Sequence, residues 1–347
     1  MGDRHDGRGR GVLARLAVVA LAVASCTKDD RPVADASSSA TIESLACGGS
    51  TAEPVMLEGE PGVATVTDVV VRSTGQVVAI GSSMWIRDPD TMTWRSSARP
   101  GGPDDAATAG GANDGEVWVV TDDLAAADGP SRLFRSSDLE TWVEVPFVLD
   151  GATTASAVYA LTHDGDGWLA LAQDADAIRL ITSPDGLGWT TTATLASQGE
   201  ADTAKSLFDL AILDEGPTSV GLTVGGPSLR PLEVVWSDDG SVSERPIDGD
   251  DLAGVRLWAL TPLADGRVVV AADRVALSGD EATGFTPILY ERSPTGGLDL
   301  LATMPAPAAF AAPADLAEVG GGQTVVVGSI GDSRDTLAPA AWTVCLP

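Results

Sequence analysis

The sequence predicts an all-β chain closed into a propeller, with six four-stranded antiparallel units and seven as the alternative count. Three observations predict it. Beyond residue 45, short runs of Val, Leu, Ile and Trp alternate with Gly, Asp and Pro turns, and no long stretch carries a helical apolar stripe. A turn ending in tryptophan recurs as Asp90-Thr91-Met92-Thr93-Trp94, Asp138-Leu139-Glu140-Thr141-Trp142 and Asp185-Gly186-Leu187-Gly188-Trp189, its aspartates 48 and 47 residues apart. On the same beat, two apolar strands flank a glycine-bearing turn at Gly75, Gly115, Gly165, Gly216, Gly266 and Gly322.

The chain has its own preface. Arg4, Arg8, Arg10 and Arg15 precede an apolar run from Leu16 to Ala24, and Ser25-Cys26 follows. A basic start, a short apolar core and small residues before a cut site read as a secretory signal over residues 1–25. That run is about half of the ~20 residues a bilayer span requires. Val23-Ala24-Ser25-Cys26 resembles the lipobox of bacterial lipoproteins. The resemblance implies cleavage before Cys26, a lipid on its sulfur, and attachment to the extracytoplasmic face of the cell membrane. Several acyl chains anchor stably, since each buried methylene contributes about 0.8 kcal/mol.

Residues 26–45, with Asp35-Ala36-Ser37-Ser38-Ser39-Ala40, are small and polar and read as a flexible tether. The propeller then occupies residues 46–347. Removing residues 1–25 takes away four arginines and two aspartates, so the formal charge moves from −29 to −31. A surface so acidic repels phosphate backbones along its length, which argues against nucleic acid as a partner and favours solubility in an exposed compartment.

Five turns of the tryptophan type are recognisable; the weaker copies are Ser237-Asp238-Asp239-Gly240 and Ser293-Pro294-Thr295-Gly296. The turns resemble the Asp-box, or BNR repeat, of sialidase-like propellers, of the form S-x-D-x-G-x-T-W. Ser136-Ser137-Asp138 and Ser183-Pro184-Asp185 keep its opening, although all three good copies are one residue short before the tryptophan. The resemblance implies that each box joins the third and fourth strands of a unit. There Asp90, Asp138 and Asp185 accept backbone N–H groups and Trp94, Trp142 and Trp189 offer apolar faces, a folding device without chemistry.

Ring closure organises the two ends. The last unit shows Val325-Val326-Val327 and Ala341-Trp342-Thr343-Val344 with no fourth strand after them, and Pro54-Val55-Met56-Leu57 is free to supply it. Cys47 then meets Cys345 in a disulfide, which an oxidising compartment permits. In the chain-entropy account a loop of about 300 residues stabilises by roughly 5–6 kcal/mol.

Residues for catalysis are scarce. Of two histidines, His5 leaves with the signal, and His163 sits in the turn His163-Asp164-Gly165-Asp166-Gly167. A histidine-built zinc site and a G-x-S-x-G elbow are both missing from the sequence. Sialidase chemistry, which the resemblance brings with it, needs three converging arginines and a tyrosine nucleophile. Only Tyr159 and Tyr290 exist, no R-I-P motif occurs, and Arg87, Arg135 and Arg292 fall just before outer turns. Asp68, Asp209 and Asp315 each lie seven residues before a hairpin glycine, which places them at one level of the innermost strands. There they either converge on a hard cation or cap the neighbouring strand through its N–H groups, and capping is the favoured reading. Asp164-Gly165-Asp166 and Asp248-Gly249-Asp250-Asp251 lack the remainder of a calcium loop. The expected function is a non-catalytic binding or assembly module with a protein or glycan ligand and no cofactor or metal. A sialidase-like glycan hydrolase is the alternative.

Overall fold

A computed structural model of the chain describes residues 46–346 apart from 48–49, 52, 60–61, 63, 103, 114, 124–129, 151, 154–156, 175, 200–202, 226–228, 248–251, 279–280 and 321. The signal, Cys26 and the tether lie outside the described residues, as does the run at 248–251. Among the described residues the strands form six successive four-stranded antiparallel meanders around one axis, the architecture of a β-propeller.

The innermost strands of units 1 to 6 are Val66–Val71, Asp105–Ala112, Ala157–His163, Ala204–Leu213, Val255–Pro262 and Phe310–Gly320. Each contacts the next, and the sixth contacts the first, so the ring is closed. The hairpin turns expected at Gly75, Gly115, Gly165, Gly216, Gly266 and Gly322 all connect first to second strands. These turns lie on one face, called here the hairpin face; the face where the inner strands begin is the strand-start face.

The core is distributed between units. Six apolar clusters fill six joints, each drawing side chains from two neighbouring units. Val325 and Val327 pack toward unit 1 while Val326 packs toward unit 5. Successive strand residues point to opposite faces, and both faces of a unit are covered. Such strands therefore read as continuous apolar runs rather than alternations. Buried indoles anchor the joints: Trp85, Trp236 and Trp342 donate to Glu58 O, Ser219 Oγ and Pro305 O at 2.8, 2.8 and 2.9 Å.

Val55–Met56 pairs antiparallel with Ala340–Ala341 and supplies the fourth strand of unit 6, whose other strands are Gln323–Gly331 and Ala338–Cys345. The sixth unit thus has no turn from third to fourth strand, which is why only five such turns recur.

Those turns differ in detail. Asp138 Oδ1 accepts from Thr141 N and Glu140 N at 2.7 and 2.9 Å, which together with Ser136 Oγ hold this exposed carboxyl down at about 2. Asp185 Oδ1 does the same with Leu187 N and Gly188 N. In unit 1 the acceptor is Asp88 instead of Asp90. Asp88 Oδ1 takes Asp90 N and Thr91 N at 3.0 and 2.8 Å, and Asp90 contributes its N–H. The cause is turn length: six residues separate Arg87 from its partner Trp94, against seven between Arg135 and Val143. Spacing to the tryptophan alone therefore picks the wrong carboxylate. The tryptophans differ too. Trp189 is 2% exposed and meets Phe147 edge-on at 5.4 Å, whereas Trp142 and Trp94 are half-buried.

Trp189→Ala is expected to cost about 3–5 kcal/mol and Trp142→Ala about 1–2 kcal/mol. Urea unfolding of the two variants measures the difference, and equal losses would contradict the packing described.

Candidate functional site

The axis is where the six units present their chemistry. Every inner strand carries an irregularity at the same place, skipping Thr67, Thr108, Tyr159, Phe208, Trp258 and Ala314 in its pairing with the second strand. A bulge bends its strand and breaks the local ladder. The residues that follow it are Asp68, Ala109, Ala160, Asp209, Ala259 and Asp315. One level of the ring therefore holds aspartate in units 1, 4 and 6 and alanine in units 2, 3 and 5.

Each aspartate reaches across a joint. Asp315 Oδ2 accepts Val69 N of unit 1 at 2.7 Å, Asp68 Oδ2 accepts Gly110 N of unit 2 at 2.6 Å, and Asp209 Oδ2 accepts Leu260 N of unit 5 at 2.8 Å. The second oxygens of Asp209 and Asp315 accept Leu210 N and Leu316 N, both at 2.7 Å. These are clasps on the neighbouring strand's N–H groups. Among the described residues no group of three or more His, Cys, Asp or Glu is placed to hold a metal ion.

Burial pushes all three carboxyls up. Asp209 rises to about 7, with enclosure by protein the main cause and repulsion from Asp68 adding to it. Asp315 is raised well above the ordinary range by burial and then by the charges of Asp68 and Asp209. Asp68 is also raised by burial, against the pull of the Gly110 N–H. Asp68 and Asp209 keep some surface open to channel water.

The clasps have a sequence companion. Opposite the bulge, the second strand carries Gly81, Gly221 and Gly328 in units 1, 4 and 6, but Thr121, Ala172 and Ala272 in the others. A Cβ on those glycines would lie 1.9, 1.9 and 2.1 Å from the carbonyl oxygens of Thr65, Ser206 and Ala312. The strands come together there more closely than any side chain permits, in the same three units whose aspartate crosses to the next.

The aspartates floor a cavity of about 370 Å³ that opens toward the hairpin face, with walls that include Val70, Leu161, Leu210 and Leu316. A recess of about 550 Å³ continues it between the turns of units 1 to 3, beside Ser73, Asn113, His163 and Asp164. His163 Nδ1 accepts Gly165 N at 3.1 Å and its ring meets Trp168 edge-on; Asp164 Oδ1 accepts Asp166 N and Gly167 N. Both serve their own turn. No arginine or tyrosine is among the residues that line the cavity. Tyr159 is a half-buried bulge residue and Tyr290 is buried at a joint. Arg87 donates to Thr343 Oγ1, Arg135 to Glu116, and Arg292 to Glu233 and Glu215, so these three support outer strands and do not converge.

A second constellation lies on the strand-start face of units 4 to 6. Phe208 and Trp258 stack with centroids 4.7 Å apart. The Arg256 guanidinium lies 5.0 Å from the Trp258 ring and 4.3 Å from the Phe285 ring, and Arg334 lies 5.7 Å from Phe285. Arg256 is 1% exposed and pairs with fully buried Asp273 through Nε and Nη2 at 2.8 and 2.6 Å; Trp258 Nε1 adds a bond to Asp273 at 3.0 Å. The Nη1 of Arg256 and the Nη2 of Arg334 are buried without a hydrogen-bond partner. Sequence reasoning missed this cluster. Its one trace was Arg256 itself, a charge where the other inner strands carry Thr65, Ala106, Ala157, Ser206 and Ala312.

No family model matches the chain, and no curated protein matches it. Among solved structures it is similar to a protein of unknown function from Dyadobacter fermentans, with a TM-score of 0.62 and 11% identity over 85% of this chain and 98% of that one. It is also similar to a Penicillium chrysogenum α-L-arabinanase complexed with arabinobiose, with a TM-score of 0.58 and 12% identity over 84% and 97% of the two chains. At these identities the likeness concerns the fold.

Gly221→Ala is expected to destabilise by about 1–3 kcal/mol, because the new methyl meets a backbone carbonyl. Gly188→Ala, which meets nothing within 4 Å, is the matched control and should melt near wild type. Parallel thermal melts that coincide would remove the link between close approach and the clasp.

Proposed function

We propose that the mature chain is a lipid-tethered, extracytoplasmic binding module that takes an anionic glycan on the strand-start face of units 4 to 6. The observation that carries this reading is the pair of buried, unpartnered guanidinium nitrogens of Arg256 and Arg334 beside Phe285. Leaving such donors unpaired costs about 1–3 kcal/mol each or more, a cost that an anionic group reaching them would offset. Stacked Phe208 and Trp258 are half-buried and offer the apolar face of a sugar ring a surface beside them. Among the described residues no carboxylate pairs with Arg334, although the chain carries 50 acidic residues against 21 basic ones.

A non-catalytic role is supported by the channel. Both oxygens of Asp209 and Asp315 are occupied by main-chain N–H groups, which leaves them poorly placed to move a substrate's proton. The alternative, a glycan hydrolase, draws on the likeness in fold to an arabinanase and on the raised channel carboxyls. One feature supports a disulfide between Cys47 and Cys345: the short strand Ala46–Cys47 lies against Ala338–Cys345. Attachment rests on Cys26 and the sequence before it.

Binding is measured by tryptophan fluorescence against soluble polysaccharides, with neutral arabinan and acidic polygalacturonate as the first pair. The acidic polymer is expected to bind, with affinity reduced at least tenfold in Arg334→Ala and Trp258→Ala. Release of reducing ends by wild type, lost in Asp209→Asn, would favour the hydrolase. Cys26→Ala is expected to leave the protein unprocessed or free of membranes on fractionation. A variant that still pellets at the normal mature mass would refute the tether.

A further inference from the structure

The joint between units 5 and 6 ends, on the hairpin face, in a pocket apart from both the channel and the strand-start site. Its walls include Leu263, Asp265 and Arg267 from the turn of unit 5, Glu318 and Thr324 of unit 6, and Leu346. The enclosed volume is about 320 Å³, enough for a small ligand.

Thr324 marks the pocket. Successive residues of a strand alternate between its faces, so Thr324 shares the side of Val326 and points toward unit 5. It is fully buried, and its hydroxyl has no hydrogen-bond partner. Two residues past the hairpin glycine, units 1, 2 and 5 carry Val77, Val117 and Val268, and unit 3 carries Gly167. Unit 4 carries Thr218, whose hydroxyl donates to Gly216 O at 3.1 Å. The fold therefore needs no hydroxyl at this position, and a buried one left unpaired costs stability.

Charge singles out Glu318. Arg267 commits Nε and Nη2 to Asp265 Oδ2, both at 2.8 Å, and its Nη1 faces Glu291. Asp265 and Arg267 thus cancel. Glu318 Oε2 accepts Ala264 N at 2.7 Å. Among the described residues its Oε1 accepts no hydrogen bond, and no Lys, Arg or His pairs with the carboxylate.

We propose that this pocket binds a primary alkylammonium group, with Glu318 as its counter-ion, Thr324 Oγ1 as a second acceptor, and Leu263 and Leu346 against the alkyl arm. An ammonium carries three donors and no acceptor, which suits a carboxylate oxygen and a hydroxyl lone pair. Thr324 lies at the closed base, and the ammonium reaches it as the half-buried Leu346 side chain turns aside. An anion would meet Glu318 with Arg267 already engaged. A calcium-like ion takes about six or more oxygen ligands, and among the described residues no group of three His, Cys, Asp or Glu is placed to hold one. The field of a chain with a formal charge of −29 also gathers cations at its surface. A free alkylamine and the lysine side chain of a peptide share this chemistry.

The test is ligand-observed saturation-transfer NMR on the purified protein at about 0.15 M salt, which screens attraction to the surface at large. The probes are n-butylamine, its neutral and anionic counterparts n-butanol and butyrate, and Nα-acetyl-lysine methylamide. Butylamine is expected to bind, and butanol and butyrate are not. Glu318→Gln keeps an acceptor for Ala264 N and should weaken butylamine at least about tenfold. Thr324→Val should weaken it about threefold or more, yet melt no lower than wild type without amine, because the lost hydroxyl had no partner. Tighter binding of the lysine derivative than of butylamine would assign the site to a peptide, and the reverse to a free amine; both support the pocket. Butanol binding as well as butylamine, an unchanged affinity in Glu318→Gln, or a Thr324→Val variant that melts below wild type would each overturn the proposal. None of these outcomes depends on glycan binding at the opposite face.

Discussion

The bulge shared by all six inner strands is the constraint on which the rest of this propeller depends. A twisted strand at the axis cannot keep regular pairing with its outer neighbour and also pack against inner strands on both sides, and the extra residue absorbs the misfit. It also turns a main-chain N–H away from its own ladder, and buried donors must find acceptors. In three joints the acceptor is an aspartate of the preceding unit, on a strand pressed against a glycine. Where alanine stands instead, tight side-chain packing carries the joint, as with Trp118 and Trp168, whose ring centroids are 4.9 Å apart between units 2 and 3.

Closure follows from the same economy of edges. A unit with an uncovered side would expose apolar surface and unpaired backbone, and a ring removes both. The seam is built with borrowed parts: Val55–Met56 joins unit 6 by main-chain pairing, Leu57 enters the apolar cluster between units 6 and 1, and Asp315 clasps Val69. Three different interactions thus hold the one joint that chain connectivity does not. The Arg292, Glu233, Glu215 and Arg245 network links units 4 and 5 on the outside through a buried Arg292–Glu233 pair, while its exposed Arg245 arm contributes less than buried packing does.

The two faces of the ring divide its chemistry. The hairpin face leads down a cavity to carboxyls already committed to the frame. The strand-start face carries a run of rings and guanidiniums from Phe208 to Arg334, with donors left over. A buried Arg–Asp pair is weak evidence for stability, because desolvation offsets much of the attraction. Its place at the axis, in a unit whose neighbours carry small residues at that position, is what the proposed binding role rests on.

The sequence by itself determined the fold class, the hairpin glycines, the strand borrowed from the N-terminal side and the level at which Asp68, Asp209 and Asp315 sit. Each of these is written in local periodicity or spacing, which one chain displays without reference to its partners. Tertiary structure alone decided the rest. Asp88 replaced Asp90 because turn length, which depends on where the flanking strands begin to pair, sets which carboxylate faces the free N–H groups. Trp189 is buried and Trp142 only half-buried because burial depends on what the next unit brings to the joint. Arg256 and Arg334 are 78 residues apart in sequence and meet over one phenyl ring only after units 5 and 6 pack together. Spacing within a repeat is a local property, whereas a site shared between repeats exists only once the ring has closed.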